Sequence, residues 1–442
     1  MIQDMVRPGS RIEFESVPEP AMTVGGRGVA SLALPMNWGA EDGLITITST
    51  DLATGAARAR IGYSASEPGS LLFRECLRYC YKLLVWRSDR GGKTASAELA
   101  PLSVTARYGG SRGNDLKIVV KETEIEDVYL VETYLDETLV DEQRVSNIEE
   151  LVGNDWVKFS GQGSLEDVLT AGLPLSEGTS GAITPATYGA YHAALSLESW
   201  QTMGIIDEAS NVPALVQAFI ENQREVQRRK VQGVVYNSVA ANYDGIIAVK
   251  QGYVLESGEE ISKSAAIAMV AGMSAGAAIN ESNTNRLING AVRIIGELSH
   301  DEIIKALQDG WFVISKRVNG AIKIEQDINT FREFRPKKGK EYRKNRVIRT
   351  LDEMHNTISL TWENFYEGHA DNDRAGRNSF KADLISYFRS VEALRAIDNF
   401  ASEDIIVARG TEIDAVIAEA YVQPVDSMEK LYMTVYTRVG GA

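Results

Sequence analysis

Apolar and polar positions change their period several times along this chain, and each change marks an element. Residues 412–422 alternate, with Val416, Ala418, Ala420 and Val422 on one face, which predicts a half-buried strand. Residues 423–430 interrupt the pattern. It resumes over residues 431–439, where Leu431, Met433, Val435 and Thr437 share a face. Towards the other end, Arg11, Ile12 and Phe14 lie in a short alternating run just after the chain-turning Arg7-Pro8-Gly9. A terminal strand rich in Tyr, Thr, Val and Met carries a row of backbone groups that must be paired. Such strands either close a sheet of their own subunit or pair with another molecule. Two of them point to a subunit that links to copies of itself.

Between these ends the pattern alternates helix and strand, with one interruption. Residues 25–35 read as a loop feeding a buried strand, 44–48 as a strand, 70–80 as a helix and 81–87 as a strand. From Leu102 to about Leu173 the chain becomes strand-like and turn-rich, with runs at 102–106, 116–120 and 128–134. The α/β rhythm returns at Thr184. Ser210-Asn211-Val212-Pro213 opens a helix, residues 231–236 and 245–249 read as strands, and Ser262 caps a helix containing Ala271-Gly272-Met273-Ser274-Ala275-Gly276. Ser299 and Glu302 form a capping box, Gly310 closes that helix, and Asn319-Gly320 marks a hairpin between residues 311–318 and 321–328. Two amphipathic stretches follow, through Met354 and Ile358 and through Phe380 and Leu384.

The order predicts an α/β (α+β) multidomain chain. Residues 1–22 are an N-terminal linking arm, 23–98 with 186–330 an α/β core, and 99–185 an inserted acidic β-rich domain. Residues 331–442 form a C-terminal α+β domain ending in a linking strand arm at about 423–442.

Charge changes this picture in two places. The 442 residues carry a formal net charge of −15, which argues against a dedicated nucleic-acid binder and for a surface that stays soluble. Residues 122–150 hold eleven acids against one arginine, read here as the solvated face of the inserted domain. Residues 332–349 reverse the sign, with nine Lys and Arg against two acids. No basic segment followed by an apolar one opens the chain, so export by a cleaved signal is not expected. The apolar run at 265–279 is too short and too rich in small residues for membrane insertion. Cys76 and Cys80, one helical turn apart, lack a nearby third ligand and read as core thiols of a protein made in a reducing compartment.

Several motifs imitate catalytic sites. Gly91-Gly92-Lys93-Thr94 resembles the end of a phosphate-binding loop, but Arg87 stands where that loop needs its first glycine. Gly272-Met273-Ser274-Ala275-Gly276 matches the nucleophile-elbow pattern, yet the residues before it read as helix where the elbow needs a strand. The four histidines, 192, 300, 355 and 369, show no metal spacing. Asp371-Asn372-Asp373 and Gly376 begin like a calcium loop, but Ala382 occupies the bidentate acid position. The expectation is therefore no enzyme, with no catalytic residue, cofactor or metal. A hydrolase built on Ser274 and a non-contractile self-assembling shell are the alternatives.

Pieces spread over the chain carry a resemblance. They are Arg7-Pro8-Gly9, Gly28-Val29-Ala30 ahead of Trp38-Gly39, Gly109-Gly110-Ser111-Arg112-Gly113-Asn114, Ala271-Gly272-Met273, and Asp327-Ile328-Asn329-Thr330. Arg346-Val347-Ile348-Arg349-Thr350-Leu351-Asp352 and Gln423-Pro424-Val425-Asp426-Ser427-Met428-Glu429-Lys430-Leu431 complete the series. In this order they resemble the contractile tail sheath proteins of myophages and phage-tail-like bacteriocins, closest to those of Gram-positive prophages. The chain departs from that pattern at Ser10-Arg11-Ile12, where sheaths carry an aromatic, and at Glu177-Gly178-Thr179-Ser180-Gly181, where they carry a Gly-Gly-x-Asp-Gly turn.

The resemblance implies six-membered rings stacked helically around a tail tube, with terminal arms completing sheets in neighbouring subunits. It implies a particle assembled in the host bacterial cytoplasm as a virion tail or tail-like particle. Its partners would be self, tail tube protein, baseplate and tail-terminator proteins, with no nucleic acid and no cofactor. Tube contact would then fall to the basic stretch, at Arg332, Arg335, Lys337, Lys338, Lys340, Arg343 and Lys344, with Lys381 and Arg389 on the next helix. A solvated connector, or a surface meeting acids of a neighbouring subunit, is the open alternative for that stretch.

Overall fold

The computed structural model describes Met22 and residues 26–437, so Arg11, Ile12 and Phe14 lie outside the described residues. It forms two compact units, one of Gly26–Asp352 with residues 426–437 and one of Glu353–Val425. The fold is α+β and multidomain.

The larger unit is organised on a seven-stranded sheet. Across it run Trp311–Phe312, Ile246–Val249, Gln232–Tyr236, Thr202–Ile205, Val29–Leu34 and Lys82–Arg87, all parallel, and Ile45–Thr48 closes the edge antiparallel. Parallel strands covered on both faces need apolar side chains on both, and all six residues of Val29–Leu34 are buried. Ala30, Leu32 and Leu34 pack under the helices Leu71–Leu77 and Ala266–Gly276. Val29 and Ala33 face the helices Pro185–Leu195, Val212–Glu221 and His300–Asp309. The small residues of Ala266–Gly276 have a steric purpose, because a Cβ on Gly272 would overlap the carbonyl of Cys76 on the neighbouring helix.

Two boundaries differ from the sequence reading. Ser262 Oγ accepts the Ala265 N–H at 3.1 Å, so it closes a turn that precedes the helix, which itself begins at Ala266. The run 311–318 divides between two partners. Trp311–Phe312 pairs with Ala248 and Val249, the chain changes sheets at the buried Val313, and Ile314–Lys316 pairs with Ile322–Ile324 around Asn319-Gly320.

Residues 94–174 form two antiparallel sheets. One holds Thr94–Leu99, Leu102–Gly109 and Val157–Ser160; the other holds Thr170–Pro174, Leu116–Glu122, Tyr129–Leu135 and Thr138–Val145. Leu102, Val104, Leu116, Ile118, Val131 and Trp156 make their shared core, and Trp38 stacks on Trp156 at 5.5 Å between centroids. The chain enters and leaves this sandwich through a tight neck. A Cβ on Gly92 would overlap the Thr179 carbonyl, and one on Gly181 the Arg90 carbonyl, so backbone can meet backbone there only with glycine. This close approach is what Gly91-Gly92-Lys93-Thr94 serves. Across the neck, the buried Arg112 pairs with Asp115 and Asp136 at 2.8 Å and with Glu67 at 3.0 Å.

The smaller unit contains the second half of the helix Asn345–Thr361, the π-turn Trp362–Tyr366 and the helix Arg374–Ala393. Trp362, Tyr366 and Phe380 pack as an aromatic cluster with centroids 4.8–5.9 Å apart. Asp373 caps the Arg374 helix by accepting from Gly376 N–H at 2.7 Å, which accounts for the calcium-like spacing. A hairpin of Ile405–Arg409 and Val416–Ala420 and a short ladder of Ile397–Asp398 with Gln423–Pro424 complete it.

Candidate assembly surfaces

Ser274 lies inside the helix Ala266–Gly276, 2% exposed, and its hydroxyl donates to Gln232 Oε1 at 3.0 Å. No strand-to-helix turn lifts it towards solvent, so the elbow geometry is missing at this serine. Cys76 and Cys80 are buried free thiols with Sγ atoms 3.8 Å apart, and burial pushes the Cys76 thiol up. Among the described residues no group of three or more His, Cys, Asp or Glu could hold a metal, and no helix is long and apolar enough to cross a membrane.

Three pieces singled out in the sequence, 327–330, 346–352 and 423–431, meet in one polar network. Asp327 is buried, and burial alone would raise its carboxyl. The Arg349 guanidinium at 2.7 Å, with hydrogen bonds from Asn283 N–H and Asn345 Nδ2 at 2.9 Å each, holds it below the ordinary carboxylate value instead. Asp327 N–H donates to Thr284 Oγ1 at 2.9 Å, and that hydroxyl donates to Glu429 Oε1 at 2.7 Å. Lys344 completes the arrangement with an ion pair to Glu429, and Asp426 lies 3.7 Å from the same ammonium. Glu429 looks in sequence like one more acid of a polar spacer. Its side chain is only 9% exposed, and no local pattern announces that.

The basic stretch divides into inward and outward charges. Lys338 Nζ lies 2.8 Å from the buried Asp244 and within 5.5 Å of the rings of Tyr243, Phe331 and Tyr342. Lys344 turns to Glu429, and Arg332 donates to the Asp309 carbonyl at 2.8 Å. Arg343 is half-buried, and burial lowers its guanidinium. Arg335, Lys337 and Lys340 point to solvent, and Arg335 makes a loose ion pair to Glu333 at 3.8 Å. In the smaller unit, Lys381 is half-buried on the helix Arg374–Ala393, and Arg389 on the same helix donates to Ser402 Oγ at 3.4 Å.

Beyond Glu429 the chain extends over residues 431–437 with no partner strand among the described residues. Leu431 is 83% exposed, Tyr432 89% and Tyr436 87%; Met433, Val435 and Thr437 are exposed as well. The expected period of two is present, but a strand exists only where a second backbone supplies its hydrogen bonds. The hairpin of the smaller unit has an apolar face. Ile405 is buried, and Val407, Val416, Ala418 and Ala420 share its face. Ala418 and Ala420 are exposed, and neither outer edge of the hairpin has a ladder partner among the described residues.

Family models for the phage tail sheath protein beta-sandwich domain, central domain and C-terminal domain match residues 90–180, 181–330 and 337–438. The solved sheath tail protein of Desulfitobacterium hafniense is 37% identical, with 95% of this chain and 97% of that one covered and a TM-score of 0.86. The sheath tail protein of Listeria innocua is 30% identical, with 92% and 93% covered and a TM-score of 0.76. The contracted helical sheath of the anti-feeding prophage shares the fold at a TM-score of 0.58, with 10% identity and 98% and 99% covered.

Proposed function

The chain belongs to the phage tail sheath protein family, and on that premise we propose that it polymerises by donating its terminal strands to neighbouring copies. The observation that carries this reading is two stretches left unpaired among the described residues. Residues 431–437 present an exposed alternating row, and the hairpin Ile405–Arg409/Val416–Ala420 presents outer edges beside the exposed Ala418 and Ala420, neither with a ladder partner among the described residues. A two-stranded hairpin is marginal alone and gains from each strand added. Leu431, Met433, Val435 and Thr437 would form the donated face, with Arg11, Ile12 and Phe14 donating from the other end.

Such links stay joined while subunits move, which suits rings of six stacked around a tail tube and a contraction that drives the tube through a cell envelope. Contraction would release a packing held by a kinetic barrier, triggered at the baseplate. Tube contact would use the outward charges Arg335, Lys337 and Lys340, with Lys381 on the smaller unit. The acidic sandwich domain would face away from the tube, on the outer rim of a particle assembled in the host bacterial cytoplasm. Electron microscopy of the purified protein tests the core of this reading. Hollow tubes of regular pitch are expected, and a chain that stays monomeric at high concentration would overturn it.

A further inference from the structure

A donated strand must leave its own subunit in a defined direction, or ordering it costs entropy each time a contact forms. The root of the C-terminal arm is built as though to meet that need. Val425 N–H still donates to the Ala396 carbonyl at 3.0 Å in the smaller unit, whereas from Asp426 the chain packs with the larger one. The free row begins immediately after, at Leu431.

We propose that Glu429 is the latch of the arm: its contacts with Lys344 and Thr284 fix where residues 431–437 leave the subunit and so set how readily they find a neighbour. Four observations converge on it. The carboxylate is almost wholly buried at a position flanked by the exposed Met428 and Lys430. It is held from both sides, by the Lys344 ammonium and by the Thr284 hydroxyl at 2.7 Å, with Ser427 Oγ 3.3 Å away. Its anchor is rigid, because Thr284 also accepts from Asp327 N–H, and Asp327 is locked by Arg349 and Asn345. Asp426 adds a second tether, 3.7 Å from Lys344. A carboxylate taken out of water is retained only where charge and hydrogen bonds replace its hydration. Here those replacements tie residues 426–429 to the body of the subunit.

The latch rests on the strand-donation reading, and the test separates the two. Full-length protein, kept unassembled at low concentration, is compared with Glu429→Ala, Glu429→Gln and Lys344→Met. Two readouts are followed: hydrogen exchange of residues 426–430 with tryptic cleavage after Lys430, and then the lag before polymerisation when concentration is raised. Loss of one charge-assisted bond should speed exchange and cleavage about tenfold in Glu429→Ala, and less in Glu429→Gln, which keeps an acceptor for Thr284. Polymerisation should then start later while the final tubes keep their pitch. Unchanged exchange and cleavage would overturn the latch, and so would a loosened root with an unchanged lag. Should Glu429→Ala not fold, Glu429→Gln and Lys344→Met give the same comparison. A chain ending at Lys430 is the control for the underlying reading: if it still forms tubes, strand donation fails, whatever the root does.

Discussion

Arg224 and Asp352 form a two-pronged pair, with guanidinium-to-carboxylate distances of 2.6 and 2.9 Å and side chains only 5% and 8% exposed. Arg224 lies in the π-turn Asn222–Val226 and Asp352 on the helix Asn345–Thr361, so the pair fastens that helix to the sheet domain. Arg349 with Asp327 fastens the same helix one turn earlier. Removing one partner of such a pair strands a charge in a site without water. Asp352→Ala should lower the unfolding free energy of the unassembled protein by about 3–5 kcal/mol in urea titrations, and Arg224→Met combined with Asp352→Leu should restore most of it. A loss below about 1 kcal/mol in the single variant would mean that the pair holds nothing in place.

A chain ending at Lys430 should fold like the full-length protein and fail to polymerise. The cut point matters, because Gln423–Pro424 pairs with Ile397–Asp398 and Glu429 is packed, so an earlier truncation would damage the subunit itself. Light scattering and circular dichroism on the same sample separate the two effects.

Arg335, Lys337 and Lys340 changed together to Glu should weaken binding to tube protein, while tubes of sheath alone still form. Each exposed contact is worth up to about 1 kcal/mol, and the loss should be greatest at low salt, where screening is weakest. Lys338→Glu should behave differently and destabilise the fold, since Lys338 neutralises the buried Asp244. Equal co-sedimentation with tube protein at low salt would remove the outward charges from that interface.

Ser274→Ala should be a packing variant and nothing more. It leaves Gln232 Oε1 without its donor, at a cost of about 1–3 kcal/mol in a buried site, and polymerisation should persist. Ester hydrolysis by the purified protein that disappears in Ser274→Ala would restore the hydrolase reading.

Stability should fall between about pH 6.5 and about pH 4 because of His192. His192 stacks on Phe219 with centroids 4.1 Å apart, its buried Nε2 has no hydrogen-bond partner among the described residues, and burial pulls it down to about 4. Its folded pKa lies below its unfolded one, so the unfolded chain takes up the proton first. The fold loses stability as pH drops from about 6.5 towards 4, by at most about 3 kcal/mol. Above pH 6.5 this group adds no pH dependence. Asp327 and Asp89 are held below the ordinary carboxylate range, so their contributions are lost only at lower pH. Thermal unfolding of unassembled His192→Leu should be flatter across this window than that of the parent protein.

Much of the fold could be read from local pattern. The Ser299–Glu302 capping box and Gly310 bound the helix His300–Asp309, Asn319-Gly320 sits at the tip of its hairpin, and the strand-rich texture from Leu102 becomes two antiparallel sheets. Each of these depends on residues a few positions apart, where backbone preference and side-chain periodicity act directly. The order of the separated pieces was legible in the same way, and it carried the family.

What only the tertiary structure decided depends on partners far along the chain. Nothing local distinguishes Lys337, which faces water, from Lys338, which neutralises Asp244 more than ninety residues earlier in sequence. The spacer acid Glu429 becomes a buried ligand of Lys344 and Thr284 only when strands and helices have brought all three together. Residues 431–437 illustrate the reverse case. Their alternation is written in the sequence, but the hydrogen bonds that make a strand require a second backbone, and the described residues of one subunit do not supply it.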